Sequence, residues 1–108
     1  MRRIWHWCKG LRQADIRLKA EYTVSDLVGL WTKQEGKCAV TGIALIAGET
    51  ASIDHIIPVA DGREGLGCIT NMRFVHTVVN RMKWDLSEED FKTAILGICP
   101  QMIEWAKK

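Results

Sequence analysis

The sequence predicts an α+β fold in which a β-hairpin leads directly into a helix, with further helices flanking that unit. Three observations point there. Residues 51–57 form a short β-branched run stopped by Pro58. A glycine-rich stretch from Asp61 to Gly67 separates this run from residues 71–75, which read as the returning strand. Helix-start patterns, Thr23 with Asp26 and Ser87 with Asp90, stand on either side.

The elements follow in order. Residues 4–21 read as an amphipathic helix with Ile4, Trp7, Leu11, Ile16 and Leu18 as apolar contacts, interrupted by Gly10. Thr23 opens a second helix whose inward face is Leu27, Val28, Leu30 and Trp31, and Gly36 ends it. Residues 37–50 are punctuated by glycine and read as a loop with a short strand. After the hairpin, residues 76–83 read as a helix with Val75, Val78, Val79 and Met82 on one side. Ser87 opens a last helix through Phe91, Ile95, Leu96 and Ile98, which Pro100 breaks or restarts as a short helix to Trp105. The expected order is α-α-β-β-α-α, without internal repeats or low-complexity segments.

A length of 108 residues implies one domain. Apolar residues at 47% and charged residues at 26% exclude a largely disordered chain. No apolar run approaches the ~18 residues of a membrane span, and the opening residues have no secretory h-region. The expectation is a soluble, cytoplasmic protein with no membrane partner. Cys8, Cys38, Cys68 and Cys99 stand 30 or 31 residues apart, so there is no CxxC pair, and the cysteines are expected as reduced, mostly buried thiols. Net charge is +2, but residues 1–20 carry six basic residues against Asp15 alone, leaving about −3 on the rest. A basic arm on a near-neutral body suits a polyanion partner. Of the five tryptophans, Trp31 and Trp105 are expected in the core, Trp5 and Trp7 in the arm or an interface patch, and any one could stack on a base.

The chemistry concentrates between Asp54 and Asp85. Asp54 and His55 end the first strand, and strand neighbours point to opposite faces unless a bend at Pro58 brings them together. A helix packed across the hairpin brings Asn80 near Asp54. Carboxylate and amide oxygens are hard ligands, suited to Mg²⁺ or Mn²⁺ with water and phosphate completing the shell. A histidine such as His55 takes a proton from water near neutral pH. These are the parts of metal-assisted phosphodiester hydrolysis. Asn80 in mid-helix, where Asn is unfavourable, points to a special role.

Three segments, Ser52-Ile53-Asp54-His55-Ile56-Ile57-Pro58, Asn71-Met72-Arg73-Phe74-Val75 and Asn80-Arg81-Met82-Lys83, resemble an HNH endonuclease of the ββα-metal class. The stretch from Trp31 to Gly42 and the trailing Asp85 to Phe91 are similar to phage-type members, so the likeness covers roughly residues 23–92. It implies a ββα-metal core with flanking helices. It assigns His55 as general base, Asp54 and Asn80 as holders of one divalent cation, and Asn71 as the residue that fixes the hairpin loop and so orients His55. Asn80 in the third position makes an HNN-type variant, similar to the HNH domain of RNA-guided CRISPR nucleases. Asn favours Mg²⁺ or Mn²⁺ over Ni²⁺ or Zn²⁺. Arg81, Lys83 and Arg73 flank the site as phosphate contacts, with Arg63, Lys33 and Lys37 as weaker candidates.

One departure from the family stands out. Many members hold a structural zinc with two CxxC pairs; here Cys38 keeps one position while Thr41, His76 and Val79 replace the others. No structural zinc is expected. Cys38 and His76 are expected to be neighbours with structural roles.

The expected organisation is a basic N-terminal helical arm (1–22), the HNH domain that the resemblance implies (23–92) and a C-terminal helical extension packed on the same domain (93–108). It implies a divalent-metal-dependent DNA endonuclease of phage, prophage or mobile-element type, leaving 5′-phosphate and 3′-hydroxyl ends. A monomer would nick, and a homodimer or partner protein would be needed to cut both strands. The alternatives are a non-catalytic nucleic-acid-binding module with this fold, and a toxin-like nuclease or RNase.

Overall fold

A computed structural model describes residues 2–15, 21–58 and 66–108. Among the described residues, four helices and a two-stranded antiparallel sheet make an α+β fold in the order α1 (Arg2–Ala14), α2 (Val24–Lys33), β1 (Ala51–His55), β2 (Met72–His76), α3 (Thr77–Lys83) and α4 (Glu88–Ala106). Ile16, Leu18, Asp61 and Arg63, named above, lie outside the described residues. Among the described residues no helix is long and apolar enough to cross a membrane.

Local signals set the helix starts. Thr23 Oγ1 accepts from Asp26 N at 3.1 Å and Asp26 Oδ2 accepts from Thr23 N at 2.8 Å, a complete capping box. Ser87 Oγ accepts from Asp90 N at 3.0 Å. Helix α2 ends at Lys33, and the turn beyond it places Gly36 at φ +65°, where an added Cβ would sit 3.2 Å from the Trp31 ring. Glycine answers both constraints there.

The strands pair with Asp54 opposite Arg73 and Ile53 opposite Phe74. Alternation gives the hairpin two distinct faces. Ile53 and His55 share a face with Phe74 and Met72, and Ser52 and Asp54 share the other with Val75 and Arg73. An isolated hairpin is marginal in water, so both faces need cover. Helices α1 and α2 pack together on the first face, where Trp7, Trp31 and Phe74 lie with ring centroids 5.2–5.4 Å apart. Helix α3 packs on both strands. Cys8, Leu27, Cys38, Leu45, Met72, Phe74 and Val75 are buried in one cluster. The outer edge of β2 is closed by Gln34, whose amide accepts from Phe74 N and donates to Phe74 O, both at 2.9 Å.

In helix α1 Cys8 is buried and Ile4, Trp7 and Leu11 pack against the core, as the apolar contacts expected of that helix. Several expectations need correction. Trp7 joins the aromatic cluster, leaving Trp5 exposed. Residues 56–57 bend out of β1, and His76 ends β2 rather than starting α3. Pro100 lies inside α4 without ending it. Proline removes one helical donor, and the carbonyl it leaves unbonded belongs to exposed Leu96, where water can reach it. The C-terminal extension does not pack down along its length. Phe91 is buried, while Leu96, Ile98, Met102, Ile103 and Trp105 are exposed, so Trp105 is no core residue.

Candidate active site

The hairpin's α3-facing side carries the site. Strand alternation turns Asp54 under α3, where it is buried, and the same face receives Asn80 and Lys83 from one side of the helix. Asn80 Nδ2 donates to Ser52 Oγ at 2.9 Å and to Ile53 O at 3.2 Å, which holds α3 across β1 and leaves Asn80 Oδ1 out of these bonds. Asp54, His55, Asn80 and Asp85 border one small polar cleft, with Ile53, Pro58 and Trp84 completing its wall. His55, at the end of β1, also borders a second cleft with Tyr22 and Asp15 from the α1 side. The histidine therefore stands at the rim between the two faces.

Asp54 is held by two cations. Lys83 Nζ lies 3.1 Å from Asp54 Oδ1 and 3.3 Å from Oδ2, and Arg73 Nε donates to Oδ2 at 2.8 Å. Lys83 spends its other hydrogens on His55 O at 2.9 Å and Ile56 O at 3.1 Å. Arg73 turns its remaining edge onto Glu88, with paired bonds of 2.6 and 2.7 Å. Two acids and two bases thus form a balanced, largely buried network. Burial pulls the Arg73 guanidinium down, but its hydrogen bonds to Glu88 and Asp54 outweigh that and raise it overall. The bonds from Arg73 hold the Glu88 carboxyl below the usual carboxylate range, against a smaller opposing effect of burial.

Two of the expected phosphate contacts, Lys83 and Arg73, lie within this network. Lys83 is 1% exposed, and the Arg73 side chain 15%. Both cationic heads face carboxylates and hold Asp54. Arg81, beside Asn80, is exposed. Glu88 escaped the sequence reading because it looks like an ordinary first-turn acid of α4; only the fold shows its reach to Arg73.

Asn71 joins the two ends of the hairpin connection. Its Oδ1 accepts from Ile57 N at 2.8 Å, and its Nδ2 donates to Ile57 O at 3.1 Å and to Leu66 O at 3.0 Å. Backbone bonds from Ile56 N to Asn71 O at 2.9 Å and from Asn71 N to Cys68 O at 3.0 Å complete the clasp.

Cys38 and His76 are neighbours. Cys38 Sγ accepts from His76 N and Thr41 N, each at 3.4 Å. Burial pushes this thiol up, but the hydrogen bonds it receives from Thr41 and from the backbone outweigh burial and lower it overall. His76 Nδ1 accepts from Val78 N at 3.1 Å, so its ring caps α3. Among the described residues no three His, Cys, Asp or Glu side chains converge so as to hold a metal.

The sequence-expected holders of a divalent cation, Asp54 and Asn80, both border this cleft. Mg²⁺ is commonly held by one or two carboxylates with water and phosphate for the rest, so Asp54 and Asn80 suit it in donor type. Such a cation would share the Asp54 carboxylate with Lys83 and Arg73. In comparisons with known proteins, no family model and no curated protein matches this chain.

Proposed function

We propose that the protein is a divalent-metal-dependent DNA endonuclease with a ββα-metal core of the HNH type. The observation that supports this most is the meeting of Asp54, His55 and Asn80 at one polar cleft, from a strand end and a crossing helix. Asp54 and Asn80 would hold the cation, which supplies charge stabilisation at a phosphodiester when bound.

The chain's own residues do the rest. A ring nitrogen of His55 takes a proton from water as the water oxygen bonds to phosphorus. The bond from phosphorus to the 3′ oxygen breaks, and that oxygen takes a proton from solvent, giving 5′-phosphate and 3′-hydroxyl ends. Asn71 fixes the residues that follow His55 through its bonds to Ile57. Lys83 and Arg73 fix the Asp54 carboxylate, and exposed Arg81 is the remaining phosphate contact on α3. Base readout has little room on so small a surface, since specific complexes bury on the order of 1,000 Å² or more.

The two cations on Asp54 favour a second reading, a binding module whose carboxylate is neutralised and idle. Supercoiled plasmid incubated with Mg²⁺, with Mn²⁺ or with EDTA separates the two. Metal-dependent nicking lost in His55→Ala supports the nuclease. A folded protein that shifts DNA on a gel and never cuts it supports the module.

A further inference from the structure

Helix α4 carries an apolar seam that its own domain does not cover. Phe91, Ile95, Ile98, Met102 and Trp105 follow at intervals of four, three, four and three residues. That spacing is the two-residue-per-heptad stripe of a paired helix. Phe91 is buried at the domain end, but Ile98, Met102 and Trp105 are 56%, 48% and 73% exposed. Phe91, Ile95, Ile98 and Met102 line an open groove with Met82 of α3 and Cys99. Around the middle of the stripe the flanking residues, Ala94, Cys99 and Gln101, carry no charge, with Lys92 and Lys108 flanking only its ends, and Pro100 falls on the opposite side, where its ring does not obstruct a neighbour.

We propose that this face pairs antiparallel with the same face of a second copy of the chain, about a two-fold axis near Ile98. Charge and length select this occupant. The first turn of α4 holds Glu88, Glu89 and Asp90, while Lys107 and Lys108 follow its last turn. A parallel pair would stack like charges at both ends. An antiparallel pair sets acidic end against basic end and opposes the two helix dipoles. The register is also self-consistent. Trp105 lies seven residues after Ile98 and Phe91 seven before it, so each exposed tryptophan meets the Phe91 and Met82 end of the other copy's groove. Lys107 lies nine residues after Ile98 and Glu89 nine before. A two-fold interface requires such self-complementarity of one patch. This pairing stands independently of the nuclease reading.

The test is sedimentation of the full chain from micromolar to submillimolar concentration, for wild type, Ile98→Glu and Leu96→Glu. Leu96 is 79% exposed and off the seam. Wild type is expected to show a concentration-dependent dimer. Ile98→Glu should weaken it by about thirtyfold, as expected for a central contact, with an unchanged circular dichroism spectrum because Ile98 is an exposed residue. Leu96→Glu should leave it intact. In a Cys99→Ser background, Ile98→Cys should oxidise to a linked dimer and Met102→Cys should not, because only a residue at the axis meets its own copy. A monomer at every concentration would overturn the proposal and leave the seam to another polypeptide. A dimer indifferent to Ile98→Glu, or linked equally well through Met102→Cys, would overturn it as well.

Discussion

Lys83 and Asp54 form a buried ion pair, Nζ to Oδ1 3.1 Å, with both side chains at or below 5% exposure. The lysine also closes on the carbonyls of His55 and Ile56, so one ammonium fixes both the carboxylate and the end of the strand that presents His55. Such a pair adds little over a well-packed apolar substitute, but breaking it by removing one partner costs about 3–5 kcal/mol.

Lys83→Met should destabilise the fold by roughly 1–3 kcal/mol, below the loss of an isolated pair because Arg73 still faces Asp54, while the carbonyls of His55 and Ile56 lose their donor. The double variant Lys83→Met with Asp54→Asn should recover part of that loss, because no buried charge is left facing an apolar group. Urea unfolding of the four members of the cycle measures the coupling. Additive losses would contradict the pairing.

The Glu88 carboxyl, held low by Arg73, adds stability that is fully present above the unfolded-state value of about 4.3 and disappears as pH falls through the lower folded value. Glu88→Gln should thus lower stability near neutral pH and flatten the acid limb of the stability curve. Unfolding midpoints measured from pH 7 downward check this. A variant whose curve runs parallel to wild type through the acid limb would contradict it.

Asn71→Ala removes three side-chain hydrogen bonds that join Ile57 to Leu66. A loss of about 1–3 kcal/mol is expected from the buried groups left without partners. If the site is a nuclease, turnover should also fall because His55 lies two residues from the clasp. Thermal unfolding and plasmid cleavage at a temperature where the variant remains folded separate the two effects.

Trp84 ends α3 at φ +50° while its side chain is 79% exposed and borders the site cleft. A bulky residue in that conformation stores on the order of 1 kcal/mol. Trp84→Gly should raise the thermal midpoint and weaken single-stranded DNA binding if the indole stacks on a base. Calorimetry with a fluorescence binding titration reads both, and a lowered midpoint would contradict the strain.

Much of the fold was legible because its signals are local. The capping residues Thr23 and Ser87 and the β-branched run before Pro58 each act within a few residues. Strand alternation set Asp54 and His55 on opposite faces unless a bend at Pro58 brought them together, and both residues border one cleft. What escaped depends on contacts distant in sequence. Arg73 and Lys83 looked like surface cations because nothing local says that two carboxylates await them. Gln34 gave no sign of clipping the edge of β2, forty residues away. Trp105 looked like core because large apolar residues usually are, whereas α4 leaves its seam uncovered.

We propose that DNA is hydrolysed at the cleft bordered by Asp54, His55 and Asn80. The most direct measurement is cleavage of supercoiled plasmid in Mg²⁺ by wild type, His55→Ala and Asn80→Ala, each confirmed as folded, with EDTA as control. Nicked circles that appear with wild type only in metal, and fall by about a hundredfold or more in His55→Ala as a lost general base requires, are the predicted result. Cleavage that survives His55→Ala undiminished, or a folded wild type that never cuts in Mg²⁺ or Mn²⁺, would contradict it.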